Sequence, residues 1–157
     1  MRHSLALDHL DAFYTLTSEA DCNFGCGPVA FAAIAGISTD VVTRYFPGSM
    51  DYSWTNRQQM EAALRTFGWR FTRKANVWPQ LGLCLVHWRG PWTKRKYPAA
   101  IMPRTHWVAV VQDYVFDVNW RGWLPRENWE DVVVPELICR HAEADGWEPL
   151  TAYEITV

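Results

Sequence analysis

Cys26-Gly27-Pro28-Val29-Ala30-Phe31-Ala32-Ala33-Ile34-Ala35-Gly36 is the stretch on which the fold turns. Proline is favoured in the first turn of a helix, where its missing N–H leaves nothing unpaired, and glycine suits the stop. The residues between are small and apolar on every side, so they specify a helix that is buried all round. Such a helix must be covered by neighbours, and the flanking sequence supplies them. Upstream, residues 5–16 carry Leu5, Leu7, Leu10, Phe13, Tyr14 and Leu16, a mixed pattern that fits a short helix, and 21–25 is a polar loop. Downstream, a helix from Ser38 or Thr39 reaches Phe46 and stops at Pro47-Gly48. A third opens with Thr55 as N-cap and Gln58 completing a capping box. Met60, Ala63, Leu64 and Phe67 make its apolar stripe, and Gly68 ends it.

Beyond Gly68 the period changes. Residues 69–73 alternate, 81–88 and 105–112 are short apolar runs, and 115–119 is a fourth strand-like segment. Residues 153–157 read as a final edge strand. Helices first and strands afterwards predict an α+β layout, with the buried helix packed on a mostly antiparallel C-terminal sheet. With no internal repeat and no low-complexity linker, residues 1–157 read as a single domain.

Composition narrows the function. Fifteen Lys and Arg against 17 Asp and Glu leave a formal net charge of −2, and that balance argues against a dedicated nucleic-acid binder. No apolar run reaches the length of a signal peptide or a membrane span, so the expectation is a cytoplasmic protein with no membrane partner. The four cysteines are Cys22, Cys26, Cys84 and Cys139. Cys22 and Cys26 have permissible zinc-ligand spacing, but a second ligand pair is missing, so no metal and no cofactor are expected. Ten tryptophans are the excess, and six of them (Trp88, Trp92, Trp107, Trp120, Trp123 and Trp129) crowd one stretch. Arg89, Lys94, Arg95, Lys96 and Arg104 make a basic loop that reads as solvated, or as a contact for an acidic partner.

Cys26 stands where the buried helix begins. First-turn N–H groups have no internal partners and the helix dipole is positive there, so the thiolate, the reactive form, is favoured. His106 lies in an otherwise apolar strand, and Asp117 sits in the middle of the next one. Two adjacent strands turned near Asp113-Tyr114 bring the imidazole beside the carboxylate. That carboxylate would fix the tautomer and leave the other nitrogen for a thiol. Asn119 shares a face with Asp117 and is the alternative orienting group. Cys84 reads as structural, His87 is open between packing and the cleft, and Trp107 points to the core.

Cys-Gly-Pro-Val-Ala-Phe-Ala-Ala-Ile-Ala-Gly at 26–36, His-Trp-Val-Ala-Val at 106–110 and Val-Phe-Asp-Val-Asn at 115–119 together resemble the papain-like cysteine peptidases. The nearest group is the C39-like, bacteriocin-processing type, and the resemblance spans about residues 18–120. It implies Cys26 as nucleophile, His106 as general base and acid, and Asp117 as orienter. The reaction implied is cleavage of a peptide or isopeptide bond through a thioester, on a peptide or protein substrate. The family usually has an oxyanion-hole Gln six residues before the cysteine; this chain has Ala20 there. Asn23 is the nearest residue with the right donor, and Cys22 is a rival nucleophile without a following helix. The resemblance also implies aromatic shielding of the catalytic pair, for which Trp120 and Trp123 are placed as cleft walls. Two other functions compete: a papain-like scaffold with weak or no catalysis that docks on another protein, and a transglutaminase-like acyl transferase.

Overall fold

The decisive helix, α1, spans Cys26–Ala35, and every residue from Gly27 onward is buried. Gly36 ends it in the left-handed conformation with its N–H on the Ala32 carbonyl, a stop that glycine makes without strain. The computed structural model describes residues 25–48, 54–94 and 102–156. The expected helix at 5–16, Ala20, Cys22, Asn23 and residues 95–101 of the basic loop lie outside the described residues.

α2 (Thr39–Val42) is N-capped by Ser38 and runs on into a 3-10 turn, Thr43–Tyr45. α3 spans Arg57–Phe67 and buries the expected stripe of Met60, Ala63, Leu64 and Phe67. Its cap is one residue later than the sequence reading placed it. Asn56, in the extended conformation, accepts from the Gln59 N–H while the Gln59 side chain accepts from Asn56 N–H, each at 2.8 Å. Thr55 is engaged elsewhere. It is buried, and its carbonyl accepts the Trp107 indole N–H at 2.8 Å.

Six strands form one antiparallel sheet: β1 (Arg70–Ala75), β2 (Leu81–Arg89), β3 (Thr105–Val111), β4 (Tyr114–Asp117), β5 (Gly122–Pro125) and β6 (Gly146–Thr156). Their order is β1-β6-β2-β3-β4-β5, so the α+β expectation with an antiparallel sheet is met. The last strand, however, is no edge. β6 starts at Gly146 and lies inside the sheet, hydrogen-bonded to β1 on one side and β2 on the other. Pro149 conceals it in the sequence, because a proline argues against a central strand. The register shifts there: Leu85 faces Thr151 and Val86 faces Pro149, so the missing N–H falls at an irregularity that tolerates it.

Both faces of the sheet are covered, and the interior strands therefore read as apolar runs without alternation. Leu83, Leu85, Trp107, Ala109, Val111, Phe116 and Tyr153 pack with α1 and α3 on one face. Cys84, Val86, Trp88, Val108, Val110, Val115 and Leu124 pack on the other. That second face is covered by α4 (Arg126–Asn128), a π-helical turn (Trp129–Val133) and α5 (Val134–Ile138), which contribute Trp129, Val133, Val134 and Leu137.

Strand lengths make the one opening that matters here. β2 pairs with β3 as far as His87 opposite Thr105, whereas β4 pairs with β3 only up to Phe116 opposite Ala109. The first residues of β3 thus have a strand on one side only, and the N-terminus of α1 stands at this gap.

Candidate active site

The Trp107 N–H, left without a β4 partner, donates to the Cys26 Sγ at 3.4 Å. Cys26 is the first residue of α1 and partly exposed, so the sulfur sits at the positive end of a buried helix. Gly27 sets how closely this helix end approaches α3. A Cβ on Gly27 would lie 2.5 Å from the Thr55 Oγ1, so any side chain there would push Cys26 away. Trp107 holds both partners, Cys26 with its backbone N–H and the Thr55 carbonyl with its indole.

His106 is the neighbouring residue on β3, buried at 7% exposure. Its Nε2 lies 3.0 Å from the Asp117 Oδ2, and its side chain also hydrogen-bonds Cys26. With Nε2 engaged by the carboxylate, Nδ1 is the ring nitrogen available to the sulfur. Trp88 from β2 stacks on the imidazole, with ring centroids 6.0 Å apart and planes at 23°.

Asp117 is fully buried and every lone-pair direction is used. Its Oδ1 accepts from the Asn119 backbone N–H at 2.8 Å and side-chain Nδ2 at 3.2 Å. Its Oδ2 accepts from His106 and, at 2.8 Å, from the Trp129 indole N–H. An Asx turn of this kind follows from placing Asp at a strand end two residues before a donor.

The charges follow from these contacts. Burial alone would raise the Asp117 carboxyl, but the His106 charge and hydrogen bonds from His106, Trp129 and Asn119 hold it well below the usual range. Burial alone would lower the His106 pKa, yet the Asp117 charge and hydrogen bond, with a smaller share from Cys26, raise it. For Cys26 burial again opposes ionisation; the hydrogen bond and charge of His106 and the Trp107 N–H outweigh it and bring the thiol down. A lowered thiol beside a raised imidazole favours the thiolate–imidazolium pair near neutral pH.

The sequence-based candidates thus divide. Cys26, His106 and Asp117 meet in one place. The His106 ring pairs with Asp117, and Asn119 steadies that carboxylate while its own oxygen accepts from Arg140 Nη1 at 3.4 Å. Trp120 is 48% exposed just past the Asp117 turn. Trp123 is in the core against Phe116, on the face opposite Asp117, and so does not wall a cleft. Alternation along β4 and β5 gives the reason, since Trp123 faces Phe116 across the pair. Asn23, the oxyanion candidate, and Cys22 lie outside the described residues.

The aromatic residues that touch the pair are Trp88 and Trp129, which the sequence reading left to general packing. Trp129 lies in a π turn, a widened backbone that is frequent at functional sites, and nothing in the local pattern marks it. Cys84 is buried, and burial pushes its thiol far above the ordinary value, so it is inert. His87 is 1% exposed, opposite Thr105 on β3 and Glu148 on β6; its Nδ1 is 3.2 Å from the Glu148 Oε1 and its Nε2 has no hydrogen-bond partner among the described residues. Arg104 from the basic loop lies over the Trp92 ring at 4.1 Å. Among the described residues no single helix is long and apolar enough to cross a membrane.

Comparison with protein-family models, with curated proteins and with solved structures finds no match to this chain.

Proposed function

We propose that the protein is a papain-like thiol hydrolase that cleaves an amide bond, peptide or isopeptide, in a polypeptide substrate. The observation that carries this reading is the buried relay from Asp117 through His106 to a half-buried cysteine at the head of a buried helix. A structural histidine does not need a buried carboxylate behind it and a lowered thiol in front.

The chemistry follows from the charges. The Cys26 thiolate attacks the amide carbonyl and the oxygen becomes an oxyanion. The N–H groups of Cys26 and Gly27, in the first turn of α1, face that side with no helical partner. His106, protonated at Nδ1, gives its proton to the departing amine, so the C–N bond breaks and a thioester remains. Water then gives a proton back to His106 and attacks the thioester, which releases the acid and restores the thiolate. Asp117 keeps the ring oriented and stabilises its charge throughout.

The test is capture of the intermediate. Incubation with an activated acyl donor, such as a peptidyl p-nitrophenyl ester, followed by acid quench should leave an acyl mass on the Cys26 peptide that hydroxylamine removes. The Cys26→Ala protein should show none. A folded wild-type protein that never acquires the mass overturns the reading. Retention of full biological activity by the Cys26→Ala variant favours a docking scaffold instead.

A further inference from the structure

A second feature lies on the same face of the sheet as α1, at the level of the nucleophile. Between the start of α3, the end of β1 and the middle of β6 is a recess of about 350 Å³, lined by Arg57, Arg73, Lys74, Asn76 and Thr151 among others. Among the described residues, three basic residues and no carboxylate line it. Arg73 is offset from outside by Glu61 at 3.3 Å, and Lys74 by Glu154 at 3.6 Å. Arg57 makes no ion pair among the described residues. It is also the first residue of an 11-residue helix, whose dipole adds positive potential at that end.

The sheet register fixes where this recess stands. Ala75 pairs with Thr151, Thr151 with Leu85, and Leu85 with Trp107, whose N–H holds the Cys26 sulfur. That is one row across four strands, and three spacings of about 4.8 Å put the recess roughly 14 Å from Trp107. An extended peptide advances about 3.3 Å per residue, so the same span takes about four residues. The chain itself also links the two places. Thr55 touches Gly27, the residue after the nucleophile, and Arg57 follows it by two positions. Trp54, half exposed, stands next to this segment and offers an apolar surface for a chain that passes.

We propose that the recess at Arg57 and Arg73 is a subsite for a carboxylate, and that the polypeptide handled at Cys26 carries an acidic residue about four positions from the bond attacked. The inference rests on the hydrolase reading for its link to Cys26, and on the recess itself for its ligand. Arg57 supplies the unpaired charge and Arg73, on the same face of the sheet, is shared with it from Glu61; the Lys74 ammonium turns to Glu154 on the other face, and Asn76 and Thr151 supply neutral hydrogen-bonding groups.

The experiment uses blocked hexapeptides of alanine that end in Glu or in Lys, titrated into the Cys26→Ala protein and followed by backbone amide shifts. The Glu peptide is expected to move Arg57, Asn76 and Thr151 together with Gly27 and Trp107, to bind about tenfold tighter than the Lys peptide, and to weaken with added salt. Arg57→Gln combined with Arg73→Gln, both exposed positions, should abolish the preference while the amide spectrum stays folded. Equal shifts from the two peptides, no shift at the recess, or shifts at the recess that never reach Gly27 and Trp107 overturn the proposal. Slow alkylation of Cys26 in the wild-type protein, with the peptide shifts intact, would sink the hydrolase reading alone.

Discussion

At the scale of single residues, the chemistry of the site depends on where two protons reside. Because Asp117 is held low and His106 is held high, the imidazole stays charged above neutrality. Nitrogen NMR of the His106 ring should therefore show the protonated form through pH 7, and Asp117→Asn should lower its midpoint by about one to three units; an unchanged midpoint contradicts the pairing. Stability follows with the appropriate sign. A raised His106 contributes stability below the ordinary imidazole range that is lost as pH rises through its folded value, and a lowered Asp117 contributes stability above the ordinary carboxylate range that is lost as pH falls through its folded value. Trp129→Phe removes one donor from Asp117 and keeps most of the ring, so it should cost about 1–2 kcal/mol in urea unfolding at neutral pH. Its loss toward low pH should be smaller than in the parent, since the Asp117 carboxyl moves back toward its unfolded value. A cost that is the same at acid and neutral pH means that Trp129 only packs. Cys26, His106 and Asp117 were legible because each is chemically out of place in an apolar element. Trp129 was not, since an indole among apolar residues looks like core and its hydrogen bond crosses from a different layer.

At the scale of elements, the site is placed by close contact between α1 and the segment before α3. Gly27→Ala puts a methyl carbon within 2.6 Å of both the Thr55 Oγ1 and Cβ. Thr55 cannot retreat freely, because the Trp107 indole holds its carbonyl. The variant should lose about 1–3 kcal/mol of stability and slow Cys26 alkylation, and Thr55→Gly in the same chain should restore much of both. Two independent, additive losses would show that the contact does not position the helix. The cap of α3 shows the limit of reading by pattern: Thr55–Gln58 and Asn56–Gln59 have the same spacing, and only the tertiary demand on Thr55 chooses the second. β6 shows another limit. Pro149 and the polar start of the strand hide a central element, whereas α1, β2 and β3 are plain because burial on all sides leaves unbroken apolar runs.

At the scale of the whole molecule, β6 joins what the sequence order keeps apart. It ties β1, and with it the recess at α3, to β2 and β3, which carry the His106 end of the site. A chain cut before Gly146 should show no cooperative unfolding transition, because both β1 and β2 lose a partner; a cooperative transition would mean that the sheet closes without β6. Thiol activation is likewise a property of the folded molecule, since the helix end, the Trp107 N–H and the His106 charge meet only there. The most direct measurement is the rate at which iodoacetamide alkylates Cys26, read by peptide mass near pH 6, in native protein and in protein unfolded by urea. The native sulfur should react at least about tenfold faster than the same cysteine in the unfolded chain and faster than free cysteine. A native rate equal to or below those references contradicts the claim that this fold builds an activated nucleophile.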